Sequence, residues 1–412
     1  MIGVFLYIAI NTYILYTYYK KEGGIYMLPF MMAITSFMVI LPQYVTIETH
    51  NLVDSRLEFL FPFILISSNI AFACGFNKGN KYNYTPSILD LRINYLKAII
   101  VLFTVIGSIY SYKNMGYMNI GEASDRSGFL INNMLSTYLL YAAVLAILLF
   151  VRWRIKQAYV IAPIILFLFF QLVTVFVGAR RSYVIGIVFL YSFIFYNLYP
   201  KWRKQIKQGI TIFFIFGGVI SASILSIRIS LSEKGQIENT DYTQMFLKSF
   251  SQDINEDVGM DLFNCANGIK YVKETNGFSL GADIWNGFVD VFVPRFIVGQ
   301  AKKDSLKIST TYGKMVPLWT HDITTMTGYF YGYAAFSVFG FLVFYLLGYL
   351  GGKLYILGSD SLFYGFIYLL LLVKIHLLFS HGVQYYLSVL ENVCILFVPF
   401  VFLIIYKKKE VI

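Results

Sequence analysis

Charged residues are scarce in this chain, at 13% of its residues. Soluble domains carry roughly 25%. At the same time 58% of the residues are hydrophobic and the mean hydropathy is +0.65, which excludes an ordinary soluble protein. Long apolar runs with few charges are typical of membrane-spanning helices. The composition therefore predicts a polytopic integral membrane protein.

Cysteines and cofactor motifs are also scarce. The three cysteines, Cys74, Cys265 and Cys394, have no CxxC spacing, which argues against a disulfide framework or a zinc site. The sequence has no Walker motif, GxGxxG, HExxH or DxD-type pair. ATP hydrolysis and metal-dependent transfer from a nucleotide sugar are therefore not supported, and we expect no cofactor and no metal.

The chain contains eleven apolar runs, each about long enough to cross a bilayer as a helix. They cover residues 2–19, 25–47, 57–76, 95–112, 131–151, 157–177, 182–199, 208–227, 324–349, 361–381 and 385–406. The first run has no basic leader and no cleavage site, so we expect it to be retained and not removed as a signal peptide. The expected fold is an all-α polytopic membrane protein with about eleven transmembrane helices and one large extracytoplasmic loop.

Basic residues are distributed unevenly between the connections. One set of short loops and the C-terminus hold seventeen Lys and Arg residues, and the alternate short loops hold five. Cytoplasmic loops carry the excess of positive charge, so the first set is predicted to be cytoplasmic, with the N-terminus outside and the C-terminus inside. The net charge of +11 is then an orientation signal and does not indicate nucleic-acid binding.

One connection is much longer than the others. It divides the chain into a transmembrane bundle of about eight helices (1–227), an outer loop (228–323) and a second bundle of about three helices (324–412). A structureless loop of this length is uncommon, so a partly helical cap is expected. Apolar spacing from Asp253 to Lys273 predicts an amphipathic helix that lies along the membrane or caps the bundle.

Arg180 and Arg181 occupy a turn that the charge pattern places outside, where arginine is normally avoided. Guanidinium groups bind phosphate in a bidentate manner and keep their charge at any pH. We predict that these arginines bind a lipid-linked pyrophosphate or stabilise it as a leaving group. The alternative is that their side chains only snorkel to contact the lipid headgroups.

A second cationic cluster is predicted in the outer loop. Arg295 follows Pro294, and Lys302 and Lys303 come shortly after it. Together with Arg228, at the start of the loop, they are predicted to bind an anionic part of the substrate. The alternative for the loop lysines is a solvated loop face.

Three further groups complete the candidate site. His321, just before the ninth run, is predicted to act as a base or to orient the acceptor hydroxyl. Lys374 and Glu391 lie at matched depths in the last two runs, so they are predicted to form an ion pair, either structural or lining a polar cavity. His381, at the turn that joins these runs, is placed with them as a substrate-binding residue.

These features together resemble the bacterial O-antigen or oligosaccharide repeat unit polymerases of the Wzy type. The resemblance rests on the helix plan with a late outer loop, the Gly178-Ala179-Arg180-Arg181 turn, and the Val293-Pro294-Arg295-Phe296 stretch followed by lysines. The Gly-rich, aromatic entry to the next helix, Thr327 to Gly332, belongs with them. The run Ile297 to Lys303 departs from the Trp-Pro-x-Lys-Pro-like run often seen in the family.

The resemblance implies a fold similar to membrane-embedded glycosyltransferases. It also implies a metal-independent glycosyltransferase of the bacterial inner membrane that acts in lipopolysaccharide or capsule synthesis. It transfers a growing glycan from undecaprenyl pyrophosphate to the terminal sugar of an incoming lipid-linked repeat unit, on the outer face of the membrane. The implied partners are membrane lipids, a flippase and a chain-length regulator. Two alternatives stay open: an O-antigen ligase, and a flippase or transporter of lipid-linked oligosaccharide. A transporter is disfavoured because the sequence has no internal repeat.

Overall fold

The structure is a computed structural model that describes residues 2–49, 51–81, 88–116, 126–178, 181–213, 261–293, 295–310, 326–380 and 382–408. Nearly all of these residues are helical. Six helical stretches are long and apolar enough to cross a membrane: Ile2–Lys20, Leu28–Thr49, Ser55–Asn80, Ile93–Lys113, Leu135–Trp153 and Gly328–Asp360. Shorter apolar helices cover Ala158–Thr174, Gly186–Leu198, Leu362–Val373 and Tyr386–Val401. This architecture is compatible with the all-α polytopic membrane class that the composition predicts.

The helices and strands follow one another along the chain with short connections. The first part contains α1 (Ile2–Lys20), α2 (Leu28–Thr35), α3 (Leu41–Thr49), α4 (Leu60–Asn80), β1 (Ile88–Leu91), α5 (Ile93–Gly116), α6 (Arg126–Trp153), α7 (Ala158–Gly178), α8 (Arg181–Leu198) and α9 (203–213). The second part contains α10 (Asp261–Thr275), α11 (Ala282–Phe292), α12 (Arg295–Val298), α13 (Gln300–Ser305), α14 (Gly328–Phe336), α15 (Phe341–Asp360), α16 (Leu362–Val373), α17 (Ile375–Ser380), α18 (Val383–Asn392), α19 (Val398–Val401) and β2 (Ile405–Lys408).

Contacts between residues divide the chain into two compact units. The first unit contains Met1–Asn83, Asp253–Tyr355 and Lys374–Glu391. The second unit contains Tyr84–Gln252, Ile356–Val373 and Asn392–Ile412. The sequence alone predicts a different division, into two bundles separated by a loop. In the structure the described part of that loop, 261–310, belongs to the first unit.

Small residues bring the helices of the first unit together. Gly75 and Gly79 of α4 lie directly against the backbone carbonyls of Tyr345 and Tyr349 in α15, so a Cβ atom at either glycine would collide with them. Helices in membranes commonly associate through such small residues, because the backbones can then approach closely.

The predicted ninth helix, 324–349, is two helices in the structure. α14 ends at Phe336, and Ser337 has φ 54, which turns the chain into a short 3₁₀ segment before α15 begins. Gly332 and Gly340 lie backbone to backbone across this break. The periodic apolar pattern does not reveal the break, because both helices are apolar and α14 is buried from Gly328 to Ala335.

The second unit contains the two strands, a departure from a purely helical expectation. β1 pairs antiparallel with β2, with Leu89 opposite Lys407. The strand pair presents Asp90 to the start of α16, where its carboxylate accepts a hydrogen bond from the Leu362 N–H at 2.8 Å. The Ser361 hydroxyl donates to the Leu89 carbonyl at 2.6 Å. Side-chain acceptors at a helix start satisfy N–H groups that have no partner within the helix.

Within each unit, the structure joins segments that the charge pattern assigns to the same face. In the second unit, β1 and β2 unite the connection before α5 with the basic C-terminus, both predicted to be cytoplasmic. In the first unit, Arg56 lies 3.2 Å from Glu274, and both are predicted to be outside. Which face is cytoplasmic stays a prediction.

Candidate functional site

The described part of the long loop, residues 261–310, forms a folded layer that we call the outer segment. Its first helix, α10, packs on α3 and α14 through one apolar face. The buried residues of this face are Leu262, Cys265, Ala266, Ile269 and Val272. The structure therefore shows this apolar face packed against protein, and its position relative to the membrane stays a prediction.

Further contacts hold α10 against α3 and α14. The Leu262 N–H donates to the side-chain carbonyl of Gln43 at 2.9 Å. Gly268 lies against the ring of Phe330, which leaves no room for a larger side chain. Burial raises the pKa of the Cys265 thiol to about 12, so this cysteine packs as a neutral side chain and is not a nucleophile.

The polar face of α10 is held by charged groups of the connection between α3 and α4. Lys270 lies 2.9 Å from Asp54, and Arg56 lies 3.2 Å from Glu274. The hydrogen bond from Lys270 lowers the pKa of the Asp54 carboxyl. The Lys273 ammonium donates to the Arg56 carbonyl at 3.1 Å. These exposed pairs fix the orientation of the cap and contribute little stability each.

The second helix, α11, is held by the chain that returns along it. The Trp285 indole donates to the Leu306 carbonyl at 2.8 Å. The side chain of Asn286 makes two hydrogen bonds to the backbone of Ile308, both at 2.8 Å. Because these bonds join side chains of α11 to backbone groups 21 and 22 residues further along the chain, they close α11, α12 and α13 into one module.

The predicted cations of the outer segment divide into two kinds. Lys303 donates to the Asp290 carbonyl at 2.7 Å, and its side chain is only 12% exposed. Lys307 lies 2.7 Å from the Asp290 carboxylate. In contrast, Arg295 and Lys302 are exposed, and the described residues offer neither an acidic partner. The exposed pair is therefore available to an anion, whereas Lys303 and Lys307 hold the module together.

Lys303 in α13 and Glu391 in α18 belong to the same unit. The two residues were predicted separately, Lys303 for substrate and Glu391 as the partner of Lys374. Lys374 lies at the turn between α16 and α17. Its pairing with Glu391 stays a prediction.

Five predicted residues cannot be placed in the site. Arg180, Arg228, His321 and His381 lie outside the described residues. Arg181 begins α8, and only its backbone is described. The roles predicted for these residues stay predictions.

Asp283, in the first turn of α11, is a candidate that sequence reasoning missed. Its carboxyl group is hydrogen-bonded to Ser279 and Thr310, and burial raises its pKa. One carboxylate oxygen is fully buried and has no hydrogen-bond partner in the described part of the chain. An Asp in the first turn of a helix is ordinary in sequence, so no signal distinguished it. A carboxyl group with a raised pKa is a typical proton acceptor or donor in an active site.

A buried network of polar side chains includes Tyr329 of α14. The Asn69 amide donates to Asn11 at 3.0 Å and to Ser36 at 3.2 Å, and the Tyr329 hydroxyl donates to Asn69 at 2.9 Å. Ser36 begins a π-helical turn that joins α2 to α3. The network links four helices within predicted or apolar spans, where unpaired polar groups are costly. We interpret it as the structural base on which α10 and α11 rest.

The chain has no match among protein-family models, curated proteins or solved structures. Among the described residues, no three His, Cys, Asp or Glu side chains form a group that could hold a metal ion.

Proposed function

We propose that this chain is a polymerase of lipid-linked oligosaccharide repeat units in the bacterial cytoplasmic membrane. It transfers the growing glycan from undecaprenyl pyrophosphate to the terminal sugar of an incoming lipid-linked unit. The observation that carries the proposal is the folded outer segment, which leaves Arg295 and Lys302 exposed while neighbouring lysines are paired. A pyrophosphate is the kind of anion that such a pair of cations binds.

The proposal includes a topology. Ten of the eleven predicted spans correspond to six long and four shorter apolar helices, and the eleventh, 208–227, lies mostly outside the described residues. With eleven crossings the N-terminus is outside, the C-terminus is cytoplasmic, and the outer segment faces the side where the lipid-linked unit is polymerised. The pairing of Arg56 with Glu274 supports the placement of both segments on one face.

The chemistry demands charge stabilisation more than covalent catalysis. Pyrophosphate is a good leaving group, and its negative charge increases as the glycosidic bond to it breaks. Arg295 and Lys302, with Arg180 or Arg181, are the proposed donors to that charge. The acceptor hydroxyl must lose a proton, and His321 and Asp283 are the candidates to take it.

The test is a glycan-length assay in a host from which the gene has been deleted. Restoring the wild-type chain should restore a ladder of repeat lengths. Arg295→Ala and Lys302→Ala together should collapse the ladder towards a single repeat unit that still reaches its final acceptor. The control is Lys204→Ala, which removes an exposed cation from α9 and should leave the ladder unchanged.

The same assay separates the alternatives. Full-length glycan that accumulates on the lipid carrier would identify a ligase. Lipid-linked single units trapped on the cytoplasmic side would identify a flippase. A ladder that is unaffected by gene deletion would remove all three functions.

A further inference from the structure

The outer segment exposes an apolar surface that the proposed reaction does not use. We call it the interfacial surface and define it by the exposed side chains Leu280, Trp285, Phe288, Leu306 and Ile308. Trp285 is 45% exposed and Phe288 is 42% exposed, and their rings stack with centroids 5.8 Å apart. On a face exposed to water, a cluster of large apolar side chains marks a site that binds another protein or a membrane.

The hydrogen bonds of the module show why these residues lie together. The hydrogen bond from Trp285 to the Leu306 carbonyl holds Leu306 beside the indole. The next residue of α11, Asn286, holds Ile308 through two hydrogen bonds. Other residues of α11 contact the rest of the first unit: Val289 is buried, and Gly287 lies against Gln384. The exposed apolar face is therefore fixed by the fold and is not the accidental exposure of a loop.

The chemistry of the surface favours lipid over carbohydrate. Sugar sites combine an aromatic ring with hydrogen-bonding groups that are available to hydroxyls. Here the Trp285 N–H and both ends of the Asn286 amide are already bonded within the module. What remains exposed is ring and hydrocarbon, which gains free energy by leaving water but offers a hydroxyl no partner.

Charge at the end of α11 is complementary to phospholipid. Asp290 neutralises Lys307 and contacts Lys303, so the exposed charge near this end comes from Arg295 in α12 and Lys302 in α13. A helix with Trp and Phe on one face and cations beside it is typical of segments that lie in the plane of a bilayer surface. The same unit contains apolar stretches long enough to cross a membrane, namely Ile2–Lys20, Leu28–Thr49 and Ser55–Asn80, so we expect a bilayer beside this surface.

We infer that the interfacial surface inserts into the boundary between headgroups and acyl chains of an anionic phospholipid leaflet. α11 lies along the bilayer with its Trp285 and Phe288 rings among the lipid chains. Arg295 and Lys302 lie at the depth of the lipid phosphates. This inference does not need the proposed glycan transfer, but it would set the two cations at the level where a lipid-linked pyrophosphate also lies.

The experiment uses Trp285 itself as the depth probe. Trp153, Trp202 and Trp319 are replaced by Phe, and the full chain is reconstituted in nanodiscs of phosphatidylcholine with phosphatidylglycerol. Lipids brominated near the upper part of the acyl chain should quench the remaining fluorescence strongly, by about half or more. Aqueous iodide or acrylamide should quench it several-fold less than it quenches a free indole.

A second probe covers the possibility that the triple variant does not fold. In a chain with Cys74, Cys265 and Cys394 replaced by Ala, single cysteines at Leu306 or Asn276 carry a nitroxide. Power saturation should show several-fold higher collision with oxygen than with a water-soluble nickel chelate at Leu306. The reverse is expected at Asn276, the exposed control at the end of α10.

The outcomes are distinct from those of the glycan assay. Lipid quenching with restricted access of the aqueous quenchers supports the inference. Equal access of the nickel chelate to both labelled positions, with no lipid quenching, overturns it. Protection of Trp285 that appears only when oligosaccharide is added also overturns it and assigns the surface to sugar. Any of these results can occur whether or not the chain polymerises glycan.

Discussion

The outer segment contains two amphipathic helices whose apolar faces differ in exposure. α10 buries its apolar face on the first unit, with Ile269 and Leu262 fully enclosed. α11 buries one edge but leaves Trp285 and Phe288 exposed. α10 is fixed by packing along its apolar face, and α11 by hydrogen bonds from its polar edge to Leu306 and Ile308. An apolar helix face therefore indicates that something covers it, but does not say whether that is protein or lipid.

The largest expected difference between the two helices follows from placing the same charge on each apolar face. Ile269→Asp puts an unpaired carboxylate into a closed site and should destabilise the first unit by about 4 kcal/mol or more. Phe288→Asp should cost less than half as much, because Phe288 is 42% exposed and a carboxylate there can withdraw from the lipid boundary to water, whereas Ile269 is enclosed by protein. Unfolding midpoints of both variants in nanodiscs measure the difference. Equal shifts would mean that α11 is as enclosed as α10.

A smaller effect is expected from removing the polar edge of α11. Asn286→Ala removes two hydrogen bonds to Ile308, each worth about 1 kcal/mol. Because the loss is local, amide hydrogen exchange should accelerate about tenfold or more in residues 306–310 while α10 keeps its protection. Gln300→Ala is the control, since its bond to Asp304 lies within α13. Unchanged exchange in 306–310 would show that packing, and not Asn286, holds the returning chain.

The smallest expected effect is a pair of opposite pH dependences. The pKa of Asp283 is raised by burial, so the folded chain binds more protons there than the unfolded chain, and stability falls as pH rises above about 3.8 towards the raised pKa. The pKa of Asp54 is lowered by Lys270, so the stability it contributes is lost as pH falls below about 3.8. Asp283→Asn should flatten the first dependence, and Asp54→Asn the second. Unfolding midpoints measured across pH check both signs. Matching slopes in the two variants would contradict this assignment.

The spans were the part of the structure that sequence predicted best. Runs such as 2–19 and 57–76 correspond to Ile2–Lys20 and Ser55–Asn80, because a helix apolar on all sides has one favourable location, within a bilayer. The break at Ser337 was missed, since it depends on Gly332 and Gly340 meeting across a turn. The strand pair was missed because β1 and β2 are over 300 residues apart in sequence.

The candidate site was predicted only in part. Arg295 and Lys302 were named from their order in the chain, and the structure leaves both exposed. Lys303 was placed in the same set, but the structure shows that it donates a hydrogen bond to the Asp290 carbonyl. Asp283 was not named, because its distinction comes from burial beside Ser279 and Thr310 and not from any pattern in the sequence.

The sequence by itself determined that this protein belongs to a membrane, since 58% hydrophobic residues and long uncharged runs leave no other solvent for the chain. It also predicted one amphipathic helix in the long loop, from Asp253 to Lys273, because apolar spacing is a local property. Only the tertiary structure decided that α10 packs on α3 and α14 while the face of α11 with Trp285 stays uncovered. The physical reason is that periodicity defines an apolar face, whereas the partner of that face is set by contacts between residues distant in the chain.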